Sequence, residues 1–184
     1  MKSYDYITRK GVDRITWINF GEMASQLSAC LEPLNVQGIV GIARGGLFPA
    51  TACACILRCE LYPVRITRRL NDQVCYAHPQ WITPVSELVA GKIIAVIDEI
   101  ADTGETLSLV AKETLRKGAV QVISACLVSH SWADPKPDIS LKVSDALVIF
   151  PWDEFVLDHG SWALHPEIQD ALNKQKGSSQ DSDE

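Results

Sequence analysis

Lys92-Ile93-Ile94-Ala95-Val96-Ile97-Asp98-Glu99-Ile100-Ala101-Asp102-Thr103-Gly104-Glu105-Thr106-Leu107 passes from an apolar run to a cluster of acids, threonines and glycine. A short apolar run with polar ends suits a strand buried on both faces, and such strands belong to parallel sheets covered by helices. Beyond it Leu107, Val110/Ala111 and Thr114/Leu115 recur on one helical face, and Gly118 is placed to stop the helix. In an open α/β sheet ligands bind beyond the carboxyl ends of the strands, so the residues after Ile97 stand where a site is expected. Glycine lets backbone N–H groups approach a phosphate, threonine hydroxyls donate to it, and a helix N-terminus adds partial positive charge. Neighbouring carboxylates accept hydrogen bonds from a diol or hold a cation through water. A merely capped helix, with Asp102 or Thr103 as N-cap and Glu99 or Glu105 exposed, accounts for any one of these residues. It does not account for two acids at a strand end and a third before Thr-Gly-x-Thr.

The flanking sequence repeats the alternation. Thr16 is placed to cap a helix carrying Phe20, Met23/Ala24, Leu27 and Cys30/Leu31 at helical spacing, ended by Pro33 and Asn35. Gly38-Ile39-Val40-Gly41-Ile42-Ala43 is a second apolar run, halted by Arg44-Gly45-Gly46 before a helical stretch over residues 47–57. Residues 61–67 read as a strand, with Pro63 suggesting an edge or an irregular start. Residues 68–91 are polar, broken by Pro79 and Pro84 and without a sustained period, a length that points to a mobile functional loop. Two more apolar runs occupy residues 120–128 and 146–150. Strands alternating with helices predict an α/β fold with a mainly parallel central sheet. Residues 1–173 are expected to form one domain, and the polar tail 174–184 to be disordered.

The 184 residues carry 17 basic and 23 acidic side chains, a net charge of −6, so no global field draws the chain to nucleic acid or an anionic membrane. A localised anionic ligand is still compatible with that balance, because a loop binds one against the global charge. The six cysteines form no CxxC pair, which speaks against zinc, and Cys53, Cys55 and Cys59 lie in an apolar stretch where buried, reduced thiols are expected. Lys2, Asp5, Arg9 and Lys10 interrupt any signal-peptide pattern, and no run nears the ~20 apolar residues of a membrane span. A cytoplasmic protein without membrane or nucleic-acid partners is expected.

The apolar run, the two acids, the two spacer residues and Asp102-Thr103-Gly104-Glu105-Thr106 closely resemble the phosphoribosyl-pyrophosphate signature of type I phosphoribosyltransferases, with Asp98-Glu99 in place of two aspartates. Residues 41–50, centred on Ala43-Arg44-Gly45-Gly46, resemble the pyrophosphate loop of the purine branch, in which a cis non-proline peptide can occur. Arg65-Ile66-Thr67-Arg68-Arg69 looks like the strand that leads into the lid of that family.

The resemblance implies a phosphoribosyltransferase-like sheet, a flexible lid over residues 68–91, a small hood over residues 129–167 and a homodimer. It implies transfer of ribose 5-phosphate from phosphoribosyl pyrophosphate to a purine base, with Mg²⁺ as cofactor. Thr103, Gly104, Glu105 and Thr106, with Ala101 and Asp102, would surround the 5-phosphate; Asp98 and Glu99 would hold the ribose hydroxyls and, indirectly, the metal. Ala43, Arg44, Gly45 and Gly46 would meet the pyrophosphate, covered by Arg68 and Arg69. Asp102 would be the general base or acid at the base nitrogen. Base recognition would fall to His130, where the 6-oxopurine enzymes have a lysine, to Leu147 at the aromatic stacking position, to the backbone of Val148, and to Asp153. The replacements at His130 and Leu147 keep open a different heterocyclic base, and a noncatalytic regulator that binds the same donor is a third reading.

Overall fold

The computed structural model describes residues 9, 11–67, 69–70, 73–76 and 80–178. In chain order its elements are β1 (Val12–Arg14), α1 (Trp17–Leu31), β2 (Gly38–Ala43), α2 (Leu47–Leu57), β3 (Glu60–Thr67), β4 (Arg69–Leu70), β5 (Gln73–Val74) and β6 (Gln80–Thr83). There follow β7 (Ile93–Ala101), α3 (Glu105–Arg116), β8 (Gln121–Ser129), β9 (Ile139–Val143), β10 (Leu147–Ile149), β11 (Phe155–Asp158), β12 (Ser161–Leu164) and α4 (Pro166–Ser178). The described chain separates into two compact units, residues 21–143 and residues 1–20 with 144–184.

The larger unit is built on a six-stranded sheet of order β6-β3-β2-β7-β8-β9. Every pairing in it is parallel except β3 with β6, as the alternation of apolar runs and helices predicts. Val40, Ile42, Val64, Ile94 and Val96 form one buried layer with Leu107 and Val110 of α3. These two helix residues are the apolar face read from the sequence, and burying that face is what fixes α3 against the sheet. Pro63 lies within β3, but β6 pairs only with Arg65, Ile66 and Thr67, so the proline meets no partner on that side.

The stretch expected to be one long loop ends earlier than its composition suggests. Gln80–Thr83 pair with β3, and Val85 and Val89 bury their side chains in the core beside the partly buried Trp81. Three apolar anchors scattered among polar residues and prolines make no period, so the order they impose is invisible to a periodicity reading. The cysteines divide as well: Cys53 and Cys126 are buried, whereas Cys30, Cys55 and Cys75 are exposed; Cys53 and Cys55 part because residues two apart on α2 turn to different sides of the helix.

In the smaller unit β1 pairs parallel to β10, and Leu147, Ile149, Ile168 and Ala171 make its core. Trp152 stacks on Phe150 at 4.9 Å and meets Phe20 edge-on at 5.3 Å, a packing role. Trp162 is 75% exposed on the β11–β12 hairpin. Helix α4 continues to Ser178, past Asn173 where the polar composition suggests that order ends.

Candidate active site

The site follows from where β2 and β7 part. Their ladder runs from Gly38↔Ile94 to Gly41↔Ile97 and stops there, while β7 goes on beside β8 as far as Ala101↔Ser129. The chain leaves β2 toward β3 on one side, and β7 lies on the other, so the strand order reverses at this pair. That is the topological switch point at which open α/β sheets bind their ligands. Strand β7 is longer than the sequence suggests, since Asp98, Glu99, Ile100 and Ala101 all belong to it. Only Asp102, Thr103 and Gly104 lie between β7 and α3.

Residues 43–46 turn into the space beside Asp98 and Glu99. A Cβ on Gly45 would fall on the Glu99 carboxyl, and one on Gly46 would come within 2.7 Å of Asp98 Oδ1 and 2.6 Å of the Ile42 carbonyl. Only glycine allows the loop backbone this close to the two acids. The Ala43–Arg44 peptide is cis, as the resemblance implies, and Arg44 is exposed while Gly46 is buried. Burial drives the Asp98 carboxyl well above the usual carboxylate range, and the Glu99 carboxylate beside it adds to the shift; the Glu99 N–H donates to Asp98 Oδ1 at 3.0 Å. The buried Oε2 of Glu99 accepts no hydrogen bond. Two crowded carboxyls next to a glycine loop form a place for a cation or a hydroxylated ligand.

Across the turn, Gly104 takes φ +82° and opens α3. The first-turn N–H groups of a helix have no intrahelical acceptor, and here the Thr103 hydroxyl takes only the Glu105 N–H, at 3.4 Å. The segment of residues 130–135 runs along this turn, with His130 N–H on the Ala101 carbonyl at 3.1 Å and Asp134 N–H on the Thr103 carbonyl at 3.0 Å. A Cβ on Gly104 would collide with the Pro135 carbonyl. The turn of residues 102–104 and the loop after β8 are therefore in backbone contact.

The structure brings together Ala43, Arg44, Gly45, Gly46, Asp98 and Glu99 at one point and Ala101, Asp102, Thr103, Gly104, Glu105 and Thr106 at the next turn of the same chain. It brings His130 to Asp102 in a way the sequence does not show: the imidazole is enclosed, with Nε2 3.9 Å from Asp102 Oδ1. Its side chain is fully buried. Trp132 is 48% exposed and donates its indole N–H to Asp102 Oδ1 at 3.3 Å. The only available signal was its place two residues after His130.

Leu147, Val148 and Asp153 belong to the smaller unit. Leu147 is 1% exposed in the Leu147-Ile149-Ile168-Ala171 core, so its side chain does not present the stacking face that the resemblance implies there. Val148 pairs with Asp13, and Asp153 is exposed with its N–H on the Phe150 carbonyl at 3.1 Å. Arg68 lies outside the described residues; Arg69 begins the two-residue strand that pairs with Val74. Among the described residues no group of three or more His, Cys, Asp or Glu side chains is arranged to hold a metal ion.

Residues 14–161 match the family described as "Phosphoribosyl transferase domain". The chain is 28% identical over 144 residues to the xanthine-guanine phosphoribosyltransferase of Gluconobacter oxydans (strain 621H), covering 76% of this chain and 83% of that protein. It is 30% identical over 150 residues to the xanthine-guanine phosphoribosyltransferase of Nitratidesulfovibrio vulgaris (strain Hildenborough), covering 77% and 85%. Among solved structures it is similar to a purine phosphoribosyltransferase from Pyrococcus horikoshii Ot3, with a TM-score of 0.71 at 27% identity over 80% of this chain and 98% of that one.

Proposed function

Since this chain belongs to the phosphoribosyl transferase domain family, we propose that it transfers ribose 5-phosphate from phosphoribosyl pyrophosphate to a purine base (hypoxanthine, guanine or xanthine) with release of pyrophosphate, a purine-salvage reaction. The names of its relatives support the purine acceptor. The observation that carries the reading is the contact of Gly45 and Gly46 with the carboxyls of Glu99 and Asp98. Loop amides suited to a pyrophosphate and acids suited to a diol meet at one spot, as a ligand joining sugar to pyrophosphate requires.

In this reading Thr103, Gly104, Glu105 and Thr106 hold the 5-phosphate with the N-terminal amides of α3. Asp98 and Glu99 take the ribose hydroxyls. Arg44 and the amides of Gly45 and Gly46 receive the pyrophosphate. The anomeric carbon becomes cation-like as the bond to pyrophosphate breaks, so placed charges matter more than a protein nucleophile. Asp102 exchanges the proton at the reacting nitrogen of the base.

The donor set fits Mg²⁺: Asp98 and Glu99 are adjacent, crowded carboxyls, and Mg²⁺ is commonly held by one or two carboxylates with water and substrate phosphates completing its shell. Bound there, it neutralises charge on the departing pyrophosphate. No helix among the described residues is long and apolar enough to cross a membrane, and the reading takes the enzyme to work in the cytoplasm, as a homodimer.

Pyrophosphate release measured with phosphoribosyl pyrophosphate, Mg²⁺ and a panel of bases tests the reading. Turnover is expected with hypoxanthine, guanine or xanthine. Turnover with another heterocycle alone would replace the acceptor, and tight donor binding without turnover on any base would make the protein a regulator.

A further inference from the structure

Asp102 stands in a three-residue turn between β7 and α3. A proton-exchanging carboxylate has to present one oxygen in one direction, and a misplacement of about 1 Å costs on the order of 10²-fold in rate. The loop after β8 reaches its carboxylate. The indole Nε1 of Trp132 donates to Asp102 Oδ1 at 3.3 Å. The Trp132 ring lies on the imidazole of His130, centroids 4.5 Å apart and planes 15° from parallel, and that imidazole is itself fully enclosed beside Asp102. Backbone bonds from His130 to the Ala101 carbonyl and from Asp134 to the Thr103 carbonyl tie the loop to the turn on both sides of Asp102, and one from Ala133 to the His130 carbonyl closes the loop on itself.

We propose that Trp132 is a positioning residue for Asp102, with buried His130 as the flat support that keeps the indole N–H aimed at the carboxylate. His130 then acts through Trp132 and Asp102 and makes no contact of its own with the base. This assignment rests on the reading of Asp102 as the proton-exchanging group. An N–H on Oδ1 restrains the carboxylate from rotating. Hydrogen bonds to charged groups are the stronger ones, so losing this one has a measurable effect on rate.

Trp132→Phe keeps an aromatic ring over His130 and removes only the N–H donor. In single-turnover assays with Mg²⁺, phosphoribosyl pyrophosphate and the best base of the panel, the rate is expected to fall by about 10- to 100-fold. The KM values of both substrates should stay within about twofold, and donor affinity by titration should be unchanged, which reports an intact fold. Asp102→Asn/Trp132→Phe should be no slower than Asp102→Asn alone, because residues that act as one unit are not additive. A wild-type rate in Trp132→Phe overturns the proposal, as do losses that multiply in the double variant. A raised KM for the base with the rate preserved also overturns it and makes Trp132 a stacking platform instead. Wild-type turnover by Asp102→Asn is a separate failure: it removes the role of Asp102 itself, whatever Trp132→Phe does.

Discussion

Asp102 directly follows β7, and the residues on either side of it, Ala101 and Thr103, accept backbone bonds from His130 and Asp134. Replacing it with asparagine preserves volume and the bond from Trp132 while removing the capacity to exchange a proton. Asp102→Asn is expected to keep donor affinity and to lose about 10²- to 10⁴-fold in single-turnover rate, measured by rapid quench. Loss of donor binding as well would place the damage in the phosphate turn. The thiols allow a second test. Burial pushes the Cys126 thiol up to about 12, with Asp98 and Glu99 adding to the shift, and burial raises Cys53 too. A raised thiol pKa means less thiolate at any given pH, and the thiolate is the reactive form. At pH 8 iodoacetamide should therefore label exposed Cys30 and Cys55 on the native protein, whereas Cys53 and Cys126 are labelled only after unfolding, as read by peptide mass.

Among the elements, α1 and α3 begin in different ways, and the difference separates stability from function. Thr16 accepts the Asn19 N–H on its hydroxyl at 3.1 Å while its own N–H donates to Asn19 Oδ1 at 3.2 Å, a reciprocal cap of the kind its position predicts. Helix α3 instead opens at Gly104, in the left-handed region and against the Pro135 carbonyl, with no side-chain cap. An alanine there meets two costs, roughly 1–2 kcal/mol for the backbone region and a clash with a backbone atom that cannot turn aside. Gly21, inside α1, has nothing within 4 Å of where a Cβ would lie. Gly104→Ala should lower Tm and abolish donor binding, while Gly21→Ala should raise stability by about 0.5–1 kcal/mol with donor affinity unchanged. Thermal unfolding of both variants, with and without donor, checks the contrast. The β11–β12 hairpin was open to reading as well: Phe155-Val156-Leu157-Asp158 and Ser161-Trp162-Ala163-Leu164 flank the two residues His159-Gly160. Its large apolar residues are partly exposed, so a search for buried runs passes over it.

The whole molecule carries a net charge of −6, and four of its acids, Asp98, Glu99, Asp102 and Glu105, fall within one strand end and helix start. A polyanionic donor enters such a place only if fixed dipoles and a cation outweigh the carboxylates. Stabilisation by the donor should therefore depend on the metal. At about 100 times its Kd, the Mg²⁺-bound donor is expected to add about 2.7 kcal/mol and to raise Tm by about 5–10 °C. Chelation should cancel most of that shift; an equal shift in the presence of a chelator would mean that the donor binds without a metal.

Much of this arrangement was legible in the chain. Buried parallel strands announce themselves as apolar runs, and a glycine-threonine-acid cluster at the end of one is a local pattern, because a phosphate-binding turn is made by consecutive residues. Residues 80–89 and the loop of residues 130–135 were not legible, since their order comes from partners far away in sequence. Local composition thus settled the α/β class, the position of the site after β7 and the glycines that have to line it. Folding settled which groups face one another across it: Gly45 and Gly46 on the acids of β7, and Trp132 and His130 beside Asp102. The physical reason is that a backbone conformation is encoded by the residues that adopt it, whereas a carboxylate's neighbours depend on which strand ends the sheet sets side by side.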